Sequence, residues 1–149
     1  MTSVQRLFES EDEFVNHVKD GHMDGFVNAL GLTNPRNVRI AQKGPEVAAD
    51  LLFEAQDENH SVKILCEFQC SKFDMDHAKA LMYPYVERYS EFDVCVWVGG
   101  DDDEKIQKMV ANFDSDRGRQ RHLRIVLIVA NCATRDDIDF VPVFDSADN

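Results

Sequence analysis

The first apolar rhythm along the chain is helical. Phe14, Val15 and Val18, then Met23, Phe26, Val27 and Leu30, recur at helical steps, which predicts a helix over 11–30. Ser10 is its N-cap, and Glu11, Asp12 and Glu13 suit the positive end of the helix dipole. Gly21 and Gly25 weaken the middle and allow a break there, and Gly31 with Asn34-Pro35 ends it.

The rhythm then shortens to two. Val38 to Gln42 is a short alternating strand, and Lys43-Gly44-Pro45 turns into a second strand, Glu46 to Ala55. Residues 56–60 are a polar hairpin loop, and Ser61 to Cys70 is the return strand. Val47, Ala49, Leu51 and Phe53 share one face of the second strand. Asp50 therefore lies on the other, with Glu46, Ala48, Leu52 and Glu54. In the third strand Glu67 and Gln69 share a face, opposite Cys66, Phe68 and Cys70.

A helix over 76–89 follows, kinked or delayed by Pro84. Val94 to Val98 and Leu123 to Ala130 are continuous apolar runs, as in strands covered on both faces. Between them lie a helix over 103–113 and the polar loop 114–121. Phe140 to Phe144 is a short edge strand, and the tail after Asp145 is expected to fray. This order predicts an α/β fold in one domain over 1–149: a mixed central sheet flanked by helices. Its front is an antiparallel meander, and its rear a parallel pair joined by a right-handed crossover.

Composition narrows the setting. The chain has 149 residues, 44% hydrophobic and 30% charged, which is ordinary for a water-soluble domain. It has no apolar run long enough for a membrane helix and no leader pattern at its start, so a cytoplasmic location is expected. Cys66, Cys70, Cys95 and Cys132 lack zinc-finger spacing and read as small hydrophobes in or beside strands. Sixteen basic against 28 acidic residues give a net charge of −12, which repels a polyanion at long range. The basic cluster is Arg117, Arg119, Arg121 and Arg124; holding phosphates and balancing Asp114 and Asp116 are equally good readings of it. His17, His22, His60, His77 and His122 fall at unrelated spacings and read as surface or loop residues. Tyr83, Tyr85 and Tyr89 read first as one packed helix face, and only second as a platform for bases. Asp101 to Glu104 reads as a solvated helix start.

The candidate chemistry sits on the hairpin. Asp50 and Glu67 occupy adjacent strands joined by a polar turn, and both can converge on one point at the sheet edge. Two hard carboxylates at that spacing suit Mg²⁺, which takes one or two carboxylates and keeps water or phosphate elsewhere. Glu67 also interrupts an apolar strand (ILCEFQC), where a carboxylate needs a partner.

Asp50, the Cys66-Glu67-Phe68-Gln69 strand and the helix bearing Tyr83, Tyr85 and Tyr89 resemble the PD-(D/E)XK nuclease superfamily. The nearest likeness is its Glu-x-Gln branch, the transposase-associated recombination-promoting nucleases. The matching stretch is 49–98, about a third of the chain. The resemblance implies a restriction-endonuclease-like fold and metal-dependent hydrolysis of phosphodiesters in nucleic acid, DNA first. It implies Mg²⁺ or Mn²⁺ on Asp50 and Glu67, with the Phe68 carbonyl as a further ligand. Gln69 then stands at the usual lysine position and orients the attacking water. Glu13 is the candidate from the first helix, and Glu46 and Glu54 compete with Asp50. Lys72, Lys79 or Lys63 would replace the missing positive charge, and Arg117, Arg119 and Arg121 would hold nucleic acid. Relatives that cut both strands pair as homodimers. The lost lysine and the −12 charge keep a second reading open, a catalytically silent nuclease fold acting as a binding or assembly module.

Overall fold

The structure, a computed structural model, describes residues 3–40, 51–69, 92–100 and 123–148. Three helices precede the sheet: α1 (Ser3–Leu7), α2 (Glu11–Gly21) and α3 (Met23–Ala29). The strands are β1 (Thr33–Ile40), β2 (Leu51–Asp57), β3 (His60–Gln69), β4 (Val94–Gly99), β5 (Arg124–Cys132) and β6 (Ile138–Asp145). They form one sheet in the order β1-β2-β3-β4-β5-β6. The pairs β1–β2, β2–β3 and β5–β6 are antiparallel, and β3–β4 and β4–β5 are parallel. The expected mixed α/β sheet is present, with two successive parallel pairs where one was expected. The helices expected at 76–89 and 103–113 lie outside the described residues.

The expected first helix is two. Ser10 caps α2, its Oγ accepting the Glu13 N–H at 3.1 Å. At His22 the backbone leaves the helical region (φ −130°, ψ 14°), so α3 starts at a new angle. Gly31 ends α3 with φ 73°, its N–H bonded to the Asn28 carbonyl and the Leu32 N–H to that of Val27. Both bonds need a residue that enters the left-handed region without strain, and glycine does. Immediately beyond, β1 runs through Asn34-Pro35, where only a helix end was expected. Asn34 and Asn37 have positive φ, and the register to β2 slips beside each. These bulges suit an edge strand, which also tolerates proline.

Helices α1 to α3 cover one face of the sheet. Phe14, Val15, Val18, Phe26 and Val27 pack there against Phe53, Cys66, Phe68, Val96 and Ile128. Leu65, Glu67, Cys95, Trp97, Ile125 and Leu127 alternate with these core positions and face the other way, and all are buried. The central strands are thus covered on both faces, as their apolar runs predict.

The segment after Asp145, expected to fray, is fastened at Ser146. Ser146 is buried in a 3₁₀ turn (Ser146–Asp148), and its Oγ accepts the Ile125 N–H at 2.8 Å. Arg124 and Asp145 form a two-pronged ion pair, with Nε to Oδ1 at 2.9 Å and Nη2 to Oδ2. Burial pushes the Asp145 carboxyl upward, but Arg124 and the Ala147 N–H outweigh it and hold the group below its ordinary value. A lowered folded-state pKa means the pair stabilises above the unfolded value of about 3.9 and is lost as pH falls through the folded one. Arg124→Met is therefore expected to lower Tm most near neutral pH, with the deficit shrinking below about pH 4. A deficit that stays constant down to pH 2 would show that the ion pair contributes nothing.

Candidate functional site

The β2–β3 hairpin turns at Glu58-Asn59, tighter than the expected loop, and its register runs from Asp57↔His60 to Leu51↔Cys66. Asp50, Glu46, Lys72, Lys79, Arg117, Arg119 and Arg121 lie outside the described residues, as does the side chain of Gln69. Glu67 and Phe68 carry what the described part of the site contains.

Glu67 is 4% exposed, the one buried charged side chain among the described residues. It sits near the end of β3, on the face away from α1 to α3, and pairs in register with Trp97 of β4. Phe68 turns its ring into the helix-covered core, 5.7 Å from Phe14 and 6.3 Å from Phe26. The register therefore holds Glu67 by packing its sequence neighbours, Cys66 and Phe68, on the opposite face.

Among the described residues, Cys95 and Trp97 are polar groups on the Glu67 face. Burial pushes the Cys95 thiol up to about 12, and the Glu67 carboxylate adds to the rise. The Trp97 indole N–H offsets it slightly, although that N–H makes no hydrogen bond of normal geometry with the described residues. A thiol so shifted stays protonated and is no nucleophile. Cys66 and Cys132 are likewise buried thiols outside any disulfide, as suits small hydrophobes.

Several other sequence candidates have different tasks. Glu13 is paired with Arg135 (Oε1 to Nη1, 2.6 Å), which lowers its pKa, and it accepts the Glu9 N–H. Its helix packs on the Phe68 face, with the sheet between it and Glu67. Glu54 accepts a hydrogen bond from Asn37 of β1 and stands opposite Lys63 in register. Lys63 lies four residues along β3 from Glu67, a rise of about 13 Å. Arg124 is held by Asp145 and is no member of a free basic cluster. That pair lines an open groove of about 540 Å³ with Leu30, Gly31 and Phe144, away from Glu67.

One grouping was illegible in the sequence. His17, His22 and Asp136 bring ligand atoms within 4.8 Å of one another, although Asp136 is more than a hundred residues from either histidine. The His17 and His22 rings lie 4.9 Å apart because the α2–α3 break swings His22 back over α2.

No helix among the described residues is long and apolar enough to cross a membrane. Compared with protein-family models, curated proteins and solved structures, the chain matches none.

Proposed function

We propose that this chain is a metal-dependent nuclease of the PD-(D/E)XK type, hydrolysing DNA phosphodiester bonds through Asp50, Glu67 and Gln69. The observation that carries the reading is Glu67, an acid buried in the sheet interior beside Trp97 and Cys95. Our reading extends the β2–β3 register one residue past Leu51↔Cys66, which sets Asp50 opposite Glu67. Strand alternation gives both the same face, since Leu51 and Cys66 share the other.

The donors fit a hard divalent cation: carboxylate oxygens from Asp50 and Glu67, with the Phe68 carbonyl as a third oxygen. Mg²⁺ or Mn²⁺ bound there would lower the pKa of a water and offset charge developing on the phosphate. Glu67 is held rigid because β2 and β3 are paired and packed. The Gln69 amide orients the attacking water by hydrogen bonding. Being neutral, it leaves the compensating positive charge to Lys72 or Lys79.

The net charge of −12 favours a second reading, a nuclease fold that binds protein partners and cleaves nothing. Salt dependence separates the two. A nuclease this acidic must focus its positive charge near the site, with Arg117, Arg119 and Arg121 as the candidate contacts. Neutralising all three is expected to flatten the slope of log K against log salt by about 2.7, three lost phosphate contacts. Fluorescence anisotropy of labelled duplex in Ca²⁺, which suppresses cleavage, measures it. Absence of binding by the wild type even at low salt would leave the protein-binding reading standing.

A further inference from the structure

We infer a second cation site on the other side of the molecule, built from His17, His22 and Asp136 and suited to Zn²⁺ or a similar borderline metal. It is independent of the nuclease reading, because its residues lie on α2, its C-cap and the turn between β5 and β6.

The donor set defines the metal class. Two imidazoles and one carboxylate suit Zn²⁺, Ni²⁺, Co²⁺ and Cu²⁺, whereas Mg²⁺ prefers all-oxygen surroundings. Three protein donors leave a fourth position for water or an incoming ligand.

The geometry is close to what coordination requires. Tetrahedral bonds of 2.0 to 2.1 Å set ligand atoms about 3.3 Å apart. The His17 Nε2 to Asp136 Oδ1 separation is already 3.6 Å. All separations in the group lie within 4.8 Å, so binding requires the donors to draw together by about 1 Å or more. The His22 side chain makes no capping hydrogen bond, and its ring lies against that of His17. His17 Nε2 also lies 2.5 Å from the Arg135 carbonyl, so a metal on that nitrogen takes the place of this contact and the turn carbonyl must move aside.

The scaffold holds His17 and the backbone of the β5–β6 turn in place without the ion, while the Asp136 side chain is 92% exposed. Arg135 is anchored to Glu13 and to the Leu7 carbonyl, and its guanidinium lies 4.6 Å from the centre of the Phe8 ring. The turn itself is closed by Ala133 N–H to Asp137 O and Asp137 N–H to Thr134 O. The His17 ring packs at a tilt against Phe8, with ring centres 5.1 Å apart. The positive charge of Arg135 is thus directed to Glu13, and Asp136 faces the imidazoles. A bound ion would clip the α2–α3 junction to the β5–β6 turn.

The test is a Zn²⁺ titration of the full chain against a chromophoric chelator, beside His22→Ala, Asp136→Asn and Glu67→Gln. The wild type is expected to take up one Zn²⁺ that excess Mg²⁺ does not displace, with Tm rising as Zn²⁺ is added. His22→Ala should weaken uptake by about 100-fold or more and abolish the Tm rise. Glu67→Gln should leave both unchanged, so failure here and failure of the nuclease reading are separable. His22 is the deciding variant because its ring makes no capping hydrogen bond, and the Tm of His22→Ala without Zn²⁺ reports whether the fold is kept. Co²⁺ spectra supply the second readout: d–d bands without thiolate charge transfer are expected. Equal Zn²⁺ affinity in wild type and His22→Ala, or strong thiolate charge transfer, would overturn the proposal.

Discussion

Glu67→Ala is expected to abolish Mg²⁺-dependent cleavage of plasmid and linear DNA, and Asp50→Asn to lower it to the same floor. Each removes one of two carboxylates, and metal stabilisation of the transition state is worth several kcal/mol, so the loss should reach about 1,000-fold or more. Glu67 is buried, so a fall in activity could also come from misfolding. Glu67→Gln addresses that: it keeps the shape and removes the charge, and its Tm reports the fold. Trp97 supplies a second readout, since it is the single tryptophan and stands beside Glu67 in the β3–β4 register. Mn²⁺ should quench wild-type Trp97 emission and leave Glu67→Gln unquenched. Cleavage that survives both Glu67→Ala and Asp50→Asn belongs to another site or to a contaminant. Quenching without cleavage would leave a metal-binding, non-hydrolytic fold.

Strand alternation was the most legible feature of the sequence. It assigned Cys66 and Phe68 to one face and Glu67 to the other, and the core is divided that way. The double-sided burial of β4 and β5 was readable from unbroken apolar runs for the same reason. Features set by tertiary contact were not readable. Edge strand β1 contains a proline and two asparagines in the left-handed region, a local signal for a turn that pairing with β2 overrides. Ser146 carries no strand or helix signal, yet it closes the chain end because the start of β5 passes beside it. Glu13 shows the limit of reading a site from charge alone. Its place in the first helix suggested a metal ligand, and the ion pair it makes with Arg135, its neighbour across space, could not be read from the sequence. The His17, His22 and Asp136 grouping was hidden for the same reason: residues separated by most of the chain meet only after the sheet has ordered β5 and β6.

Phe26→Ala is expected to be the most destabilising single truncation in the helix-covered core, costing about 3–5 kcal/mol. Phe26 is fully buried on α3, and its ring meets Phe140 of β6 at 5.2 Å, Phe53 of β2 at 5.9 Å and Phe68 of β3 at 6.3 Å. β2 and β3 are neighbours and β6 is the opposite edge of the sheet, so one ring ties the β1-proximal half to the far edge. Alanine would lose the transfer energy of the ring and leave a cavity, because paired strands cannot collapse to fill it. Against a total stability of about 5–15 kcal/mol, that is a large share. Urea unfolding should show a lower midpoint with an unchanged slope, and Tm should fall by about 10 °C or more. Phe26→Leu retains most of the volume and should cost about half as much or less. Because Phe68 packs against Phe26 while Glu67 faces away, a destabilised Phe26→Ala protein should still show Mn²⁺ quenching of Trp97 below its melting range. Loss of quenching in a folded Phe26→Ala protein would mean that core packing at Phe68, and not strand register alone, holds Glu67 in position.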